Sequence, residues 1–537
     1  LALLTLFQEG IRLLSEGNTV EARRRLFAVW ESGGSDAARA AGFVAHIDKG
    51  DRRFSNAISI LESSLEKLGD NAPTLAQLAE LYMTMGDHQK AIDAASRSLE
   101  EVPDNAVTAL NLAIWRSNYT DSPSAIKTAF ERWSDRHIEA PTSDTPLMTA
   151  SQTTKAHARL LRIGYVSGDL ANHPVRYFIE PYLKFHDPSR FEIHAFMTGE
   201  EDEISQLLKE WVPHWHSVKA LDNGALLSLI RGLEIDILVD LSGHTEASRL
   251  EIFAARAAPL QVTWWGFVHT LGIKEIDYRL TDFEACPKGA EAHYTEALCR
   301  MECLTAYTPP VNTEKQYPSP WQSNGYITMI SLNHTRKISG AALGRWKEIL
   351  SQNPNSGLII VTSEATEAEA SNYFTPRLVE HDFPMDRVSA VPRLSMLEFM
   401  NVASVADFAL DSFPVSGGVT TLHALWMGLP VLTMRPETTI AMQTYSGNTL
   451  RLVGFDECIT NDTAELVSRA SQWIQNPALI DQLREKTRPN LVASPFMDHV
   501  ARVRELEACF CGIWQRHIDN QPVSDFDSAD VLDTPDE

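Results

Sequence analysis

A period of 34 residues runs through the first quarter of the chain. Ala57, Ala91 and Ala125 each open an Ala-Ile pair one period apart, Leu65 and Leu99 keep the same step, and so do the pairs Asp70-Asn71 and Asp104-Asn105. Ala22 lies one residue out of phase with this series. The clearest unit, residues 72–105, sets small and apolar residues at helical spacing, turns at Gly86-Asp87, continues as a second amphipathic helix and stops at Pro103. A unit of this length is one helix pair that cannot bury its apolar face alone. Alanines let its two helices approach closely, and each pair covers its remaining face with the next. The spacing therefore predicts a short solenoid of about four helix pairs over residues 1–140.

Past that point the periodicity changes character. Residues 141–158 are polar and rich in Pro, Ser and Thr, which reads as a linker. Short apolar runs then alternate with amphipathic helices: LRIGYVS (161–167), FEIHAFM (191–197), IDILVDL (235–241) and LQVTWWG (260–266). Strands buried on both faces and separated by helices imply parallel βαβ units, here a first Rossmann-like lobe over 159–310. A second Pro-rich joint (309–324) precedes a restart of the same grammar with GYITMIS (325–331), GLIIVTS (357–363), ADFALDS (406–412) and LPVLTM (429–434). These make a second Rossmann-like lobe over 325–517, closed by a long helix near 496–517. The expected fold class is thus an α-helical solenoid followed by two doubly wound α/β lobes with a cleft between them. Residues 519–537 carry seven acids and no base, so 518–537 read as a solvated, disordered tail.

Composition narrows the function. Against 47 Lys+Arg stand 71 Asp+Glu, a net charge of −24 over 537 residues. A surface this acidic repels phosphate backbones and anionic lipid, which excludes sequence-general nucleic-acid binding. Six cysteines without a CxxC pair point to a reducing, cytoplasmic setting, with Cys509 and Cys511 as structural thiols. No apolar run reaches the roughly 18 residues of a membrane span. The sequence opens on Leu1 rather than Met, which leaves room for a preceding segment. GxGxxG, GxxxxGK[ST] and HExxH are all missing, so neither a cofactor nor a metal is expected, and His214 and His216 in VPHWHS read as surface or core histidines.

In open α/β sheets ligands gather where strand ends meet helix starts. Three such loops carry chemistry. GDLANHP (168–174) places His173 at the mouth of the first lobe, where an imidazole can transfer a proton or hold a substrate group. SLNHTRKIS (331–339) places Lys337 just before a helix, a position that already favours anions. The stretch 411–432 runs from a strand end through Gly417-Gly418 to Thr420-Thr421 at the start of a helix. Its glycines permit close backbone approach, and its amides and hydroxyls can cradle a diphosphate.

The repeats resemble tetratricopeptide repeats. The stretches RIGYVSGDLANHP, DILVDLSGHT, APLQVTWWGF, DYRLTD, SLNHTRKI and ADFALDSFPVSGGVTTLHALWMGLPVLT together resemble the O-GlcNAc transferase family, family 41 of the glycosyltransferases. The resemblance covers the repeats and nearly all of 160–515. It implies a GT-B fold, an inverting mechanism without bound metal, a nucleotide-sugar donor in the second lobe, and a protein hydroxyl acceptor guided by the repeats. By the same resemblance His173 lies beside sugar and acceptor, Lys337 compensates the leaving diphosphate, and Thr420 and Thr421 hold the phosphates. Asn333, Arg393, Gly417, Gly418 and His423 complete the expected donor site. The chain departs from the family pattern at Val419, where a histidine is common, at His423, where an aspartate grips the ribose, and at Met396 and Phe399. UDP-GlcNAc is the default donor. UDP-glucose or a CMP-linked nonulosonic acid, used by bacterial relatives that modify flagellin, is the alternative. A catalytically inactive repeat scaffold is the alternative of another class, and retention of His173, Lys337 and the threonine pair argues against it.

Overall fold

The computed structural model describes residues 2–120, 122–148, 159–310 and 317–532. Eight helices form the solenoid: α1 (Ala2–Ser15), α2 (Thr19–Ser32), α3 (Ala37–Gly50), α4 (Phe54–Leu68), α5 (Ala72–Thr84), α6 (His88–Glu101), α7 (Ala106–Tyr119) and α8 (Pro123–His137). The sequence period has a separate physical cause at each conserved step. Ala22, Ala57 and Ala91 are fully buried where helices cross. Asn71 and Asn105 cap α5 and α7, their side chains accepting from the amides of Thr74 and Thr108 at 3.0 Å, which is why Asp-Asn recurs. Gly17, Arg52 and Gly86 take positive φ in the turns inside the first three pairs.

The first lobe is an eight-stranded, all-parallel sheet. In chain order its strands are β1 (Leu161–Ser167), β2 (Phe191–Met197), β3 (His214–Ser217), β4 (Ile237–Asp240), β5 (Leu260–Thr263), β6 (Tyr278–Asp282) and β7 (Ala297–Met301). The second lobe contributes β8 (Ile327–Ser331), β9 (Ser356–Val361), β10 (Val388–Val391), β11 (Phe408–Leu410), β12 (Val431–Met434) and β13 (Ile459–Thr460). These six pair in the order β10-β9-β8-β11-β12-β13. The central strands β4, β5, β6 and β8 are buried at every position, as their unbroken apolar runs require.

The C-terminal end departs from the expectation. The helix His499–Ile518 leaves the second lobe and packs on the first, where Val503, Leu506, Phe510 and Ile513 share a core with Ile163, Ile179 and Val262. The stretch expected to be a disordered tail then supplies β14 (Phe526–Asp527), which pairs with β7 and completes the order β14-β7-β6-β5-β4-β1-β2-β3. Two of its acids find partners on the first lobe: Asp525 accepts the Leu298 amide at 2.6 Å and Asp527 faces Lys288 at 3.0 Å. Residues 533–537 of the expected tail and 149–158 of the expected linker lie outside the described residues. Linker residues 141–148 lie on the first lobe, Ser143 bonding Ser228 and Thr145 accepting from Arg231.

The solenoid is built into the lobes. Ile126 and Phe130 of α8 belong to the same core as Val166, Leu238, Phe253 and Leu271. The Phe130 ring stacks on His244, centroids 5.3 Å apart. Gly272 makes the approach possible: at φ 70°, any Cβ it carried would lie 2.5 Å from the backbone of Phe130 and Glu131. Phe130→Ala empties this shared core and is expected to cost about 3–5 kcal/mol. Scanning calorimetry of that variant should show the solenoid and first lobe losing stability together. A lobe transition left at its wild-type temperature would mean that the two units fold independently.

Candidate active site

Between the lobes lies a cavity of about 190 Å³. Phe178, Trp265, Asp282 and Leu304 line it from the first lobe, and Lys337, Gly417, Gly418 and Tyr445 from the second. The helix Val419–Trp426 starts at this cavity with Gly418 as its N-cap, and no side chain caps it. Its first amides remain available to an anion, and the helix dipole adds to the attraction.

Lys337 closes a short 3-10 turn, Thr335–Lys337, and its Nζ donates to the Ser416 carbonyl at 2.6 Å, directly before the glycine pair. Burial and the neighbouring Arg336 guanidinium push its pKa down to about 8, against the pull of Asp411. The glycine loop is shaped from behind by the Asp411 carboxylate. Asp411 accepts from the amides of Ser412 and Gly417, each at 2.9 Å, from Asn333 Nδ2 at 2.8 Å and from the Thr433 hydroxyl at 2.7 Å. Asn333 in turn accepts from Thr420 Oγ1 at 2.9 Å. Asn333, Lys337, Gly417, Gly418 and Thr420 therefore form one connected unit.

The remaining expected residues take other places. Thr421 is 2% exposed and bonds Ser446 Oγ at 2.7 Å, so it fixes the helix start from inside. His423, expected at the ribose, is 3% exposed; its Nδ1 bonds the Tyr307 hydroxyl at 2.7 Å, and Tyr177 packs edge-on against its ring. Burial lowers its pKa to about 4. The reason is steric, since a histidine at this inward helix position reaches the aromatic seam between the lobes. Arg393 is exposed on the loop after β10, with its amide bonded to the Glu364 carbonyl, and does not line the cavity. Met396 is exposed, while Phe399 and Val419 pack partly against the second-lobe core.

His173 stands on the first-lobe loop after β1, side chain 45% exposed and Nδ1 3.8 Å from Asp169. The loop is tied down by Asp202, which accepts the Asn172 amide at 2.7 Å. Burial depresses the imidazole's pKa; Asp169 opposes this and Arg336 adds to it. Asp282 also faces the cavity, its pKa raised by burial to about 6.

His214 and His216 lie on the edge strand β3 beside His194 of β2, and none of them lines the cavity. Glu192, His194 and His214 are the group among the described residues whose ligand atoms all lie within 4.8 Å of one another. The His194 and His214 rings stack 14° from parallel, which keeps their lone pairs in separate planes.

Residues 141–307 and 306–506 match Glycosyl transferase family 41. The chain belongs to this family. Residues 50–113 match the tetratricopeptide repeat, so this family 41 chain carries such repeats ahead of its two lobes. The probable UDP-N-acetylglucosamine--peptide N-acetylglucosaminyltransferase SPINDLY of Solanum lycopersicum is 31% identical over 381 residues, covering 70% of this chain and 41% of its own length. Its Oryza sativa counterpart is 31% identical over 411 residues, covering 75% of this chain and 44% of its own length. The chain thus spans about two fifths of the length of these curated relatives. A mutant of the Thermobaculum terrenum O-GlcNAc transferase superposes with a TM-score of 0.84 at 25% identity, covering 96% of this chain and 98% of that one. The family 41 chain therefore has the expected arrangement of solenoid and two parallel-sheet lobes.

Asp411, Ser446, Asp282 and Arg336 are the site residues that sequence reasoning passed over. Asp411 carries a readable signal, an acid at the very end of an apolar strand. The other three depend on partners distant in the chain. Asp411→Ala leaves four buried donors without an acceptor, each costing about 1–3 kcal/mol. Urea unfolding should show a loss of several kcal/mol by that reckoning. A near-wild-type midpoint would mean that the loop is held by other bonds.

Proposed function

We propose that this family 41 chain is an inverting, metal-independent protein O-glycosyltransferase that moves a sugar, by default GlcNAc from UDP-GlcNAc, to Ser or Thr of a protein acceptor engaged by the repeats. The observation that carries the reading is Lys337 and an uncapped helix start meeting at one interlobe cavity, with His173 on the first-lobe loop after β1. The SPINDLY relatives and the Thermobaculum enzyme, named for the same transfer, support this reading.

Glycosyl transfer breaks the bond between the anomeric carbon and the phosphate oxygen, and the electron pair leaves with the diphosphate. An ammonium and free amides fixed where that charge develops stabilise the transition state more than the ground state. Lys337 and the amides of Gly418 and Val419 supply them in this reading, with Thr420 held to Asn333 beside them. The acceptor hydroxyl attacks the opposite face of the anomeric carbon, with His173 placed to accept its proton or orient it. The charge compensation is built from protein groups, so the proposal includes neither metal nor cofactor. Among the described residues no helix is long and apolar enough to cross a membrane, and all six cysteines are free thiols. A reducing, cytoplasmic location belongs to the same proposal.

The donor is tested by thermal shift and turnover together. UDP-GlcNAc should raise the melting temperature and be consumed when a Ser/Thr protein acceptor is present. Stabilisation by a CMP-linked nonulosonic acid with none from UDP-sugars would move the reading to that donor. Lys337→Ala is expected to lower turnover by about a hundredfold or more. The pH profile gives an independent check. Lys337 acts as its charged form, and its pKa in the free protein is about 8, so kcat/KM should fall as pH rises through that value. Lys337→Arg keeps its charge to far higher pH and should abolish that limb. A limb that persists in Lys337→Arg would belong to another group.

A further inference from the structure

The turn between α5 and α6 is pressed against the segment that carries Lys337. A Cβ on Gly86 would lie 2.6 Å from the Ile338 carbonyl oxygen and 2.7 Å from that of Thr335, so at this point only glycine lets the two backbones meet. Arg377, on the helix Glu367–Glu380 of the second lobe, seals the junction. It donates Nη1 to the Met85 carbonyl at 2.6 Å, and Nη2 to the carbonyls of Gly86 and Ile338, each at 3.2 Å. On the other side His88, the first residue of α6, places Nε2 2.6 Å from the Arg336 carbonyl, and the Tyr119 hydroxyl of α7 lies 2.6 Å from the same nitrogen. A carbonyl oxygen only accepts, so His88 Nε2 carries the proton. The backbone carbonyls immediately before and after Lys337 are therefore both held by groups that belong to, or are bonded to, the solenoid. The Lys337 side chain leaves this clamp in the other direction, toward Ser416 and the glycine loop.

We propose that the third helix pair of the solenoid, through Gly86 and His88, is a positioning element of the donor site. It fixes the backbone from which Lys337 reaches the leaving diphosphate, so that whatever the repeats bind is mechanically continuous with the phosphate site. The proposal rests on the assignment of Lys337 made above. Lys337 is half-buried with its Nζ tied to the Ser416 carbonyl, which leaves it little freedom to compensate a displaced backbone, and a misplacement of about 1 Å at such a group typically costs on the order of a hundredfold in rate.

The test is a double-mutant cycle in the full chain, read by turnover of UDP-GlcNAc and by calorimetric titration with UDP. His88→Leu removes the bond to Arg336 while filling the same space. His88→Gln returns an N–H donor at similar reach. Expected is a loss of tenfold or more in turnover for His88→Leu, recovered for the most part by His88→Gln. That loss should vanish when His88→Leu is introduced into Lys337→Ala, because a residue acting through another has nothing left to position. If His88→Leu lowers activity by the same factor in both backgrounds, its role is general stability and the proposal is overturned, whatever happens to the melting temperature. Wild-type turnover and UDP affinity in His88→Leu, alongside an impaired Lys337→Ala, overturn the positioning role alone. An unimpaired Lys337→Ala overturns both this proposal and the assignment on which it rests.

Discussion

Four hydrogen bonds to the Asp411 carboxylate join the end of β11 to β12, to the Asn333 loop and to the glycine loop. The first lobe contains the same device. Asp240, at the end of β4, accepts from the amides of Ser242 and Gly243 and from the hydroxyl of Thr263 on β5, just as Asp411 accepts from Thr433 on β12. Four residues upstream in each lobe a second aspartate fixes the neighbouring strand at its start: Asp236 accepts the Arg162 amide and Asp407 the Thr328 amide, both at 2.8 Å. A strand with a carboxylate at each end thus sets the register of its neighbour at one end and the shape of the ligand loop at the other. Buried carboxylates in this role are tolerated because each is surrounded by donors.

Much of this was written in the sequence. The 34-residue step marks helix caps and helix crossings, both of which depend on residue type at a fixed place, so the solenoid is legible from Asn71, Asn105 and the buried alanines. The apolar runs announce strands buried on both faces, and the loops after β1, β8 and β11 are where His173, Lys337 and Gly417-Gly418 stand. The spacing of two aspartates across DILVD and DFALD was equally visible, and it marks the central strand of each lobe.

What the sequence concealed depends on partners far along the chain. His423 resembles a ligand when only its helix is considered, but Tyr307, 116 residues away, takes its Nδ1. The acidic C-terminal stretch has the composition of a solvated segment. Its order comes from one apolar residue, Phe526, buried at the sheet edge, and from acids that meet the Leu298 amide and Lys288. Charge counting cannot separate acids that repel one another in solvent from acids that each find a donor.

Positive charge gathers around the turn that carries Lys337. In a chain of net charge −24, His334 is held down to about pKa 3 by burial and by four cations around it: Arg336, Arg52, Lys337 and Arg393. Arg336 depresses both Lys337 and His173. Like charges gathered at one place repel until an anion arrives, and the repulsion grows as water is excluded. Electrostatics thus works against the packing of the Lys337 turn. What opposes that repulsion is short-range bonding: His88 holds the carbonyl of Arg336 and Arg377 that of Ile338. Through these bonds the solenoid is also a brace for the segment that carries Lys337.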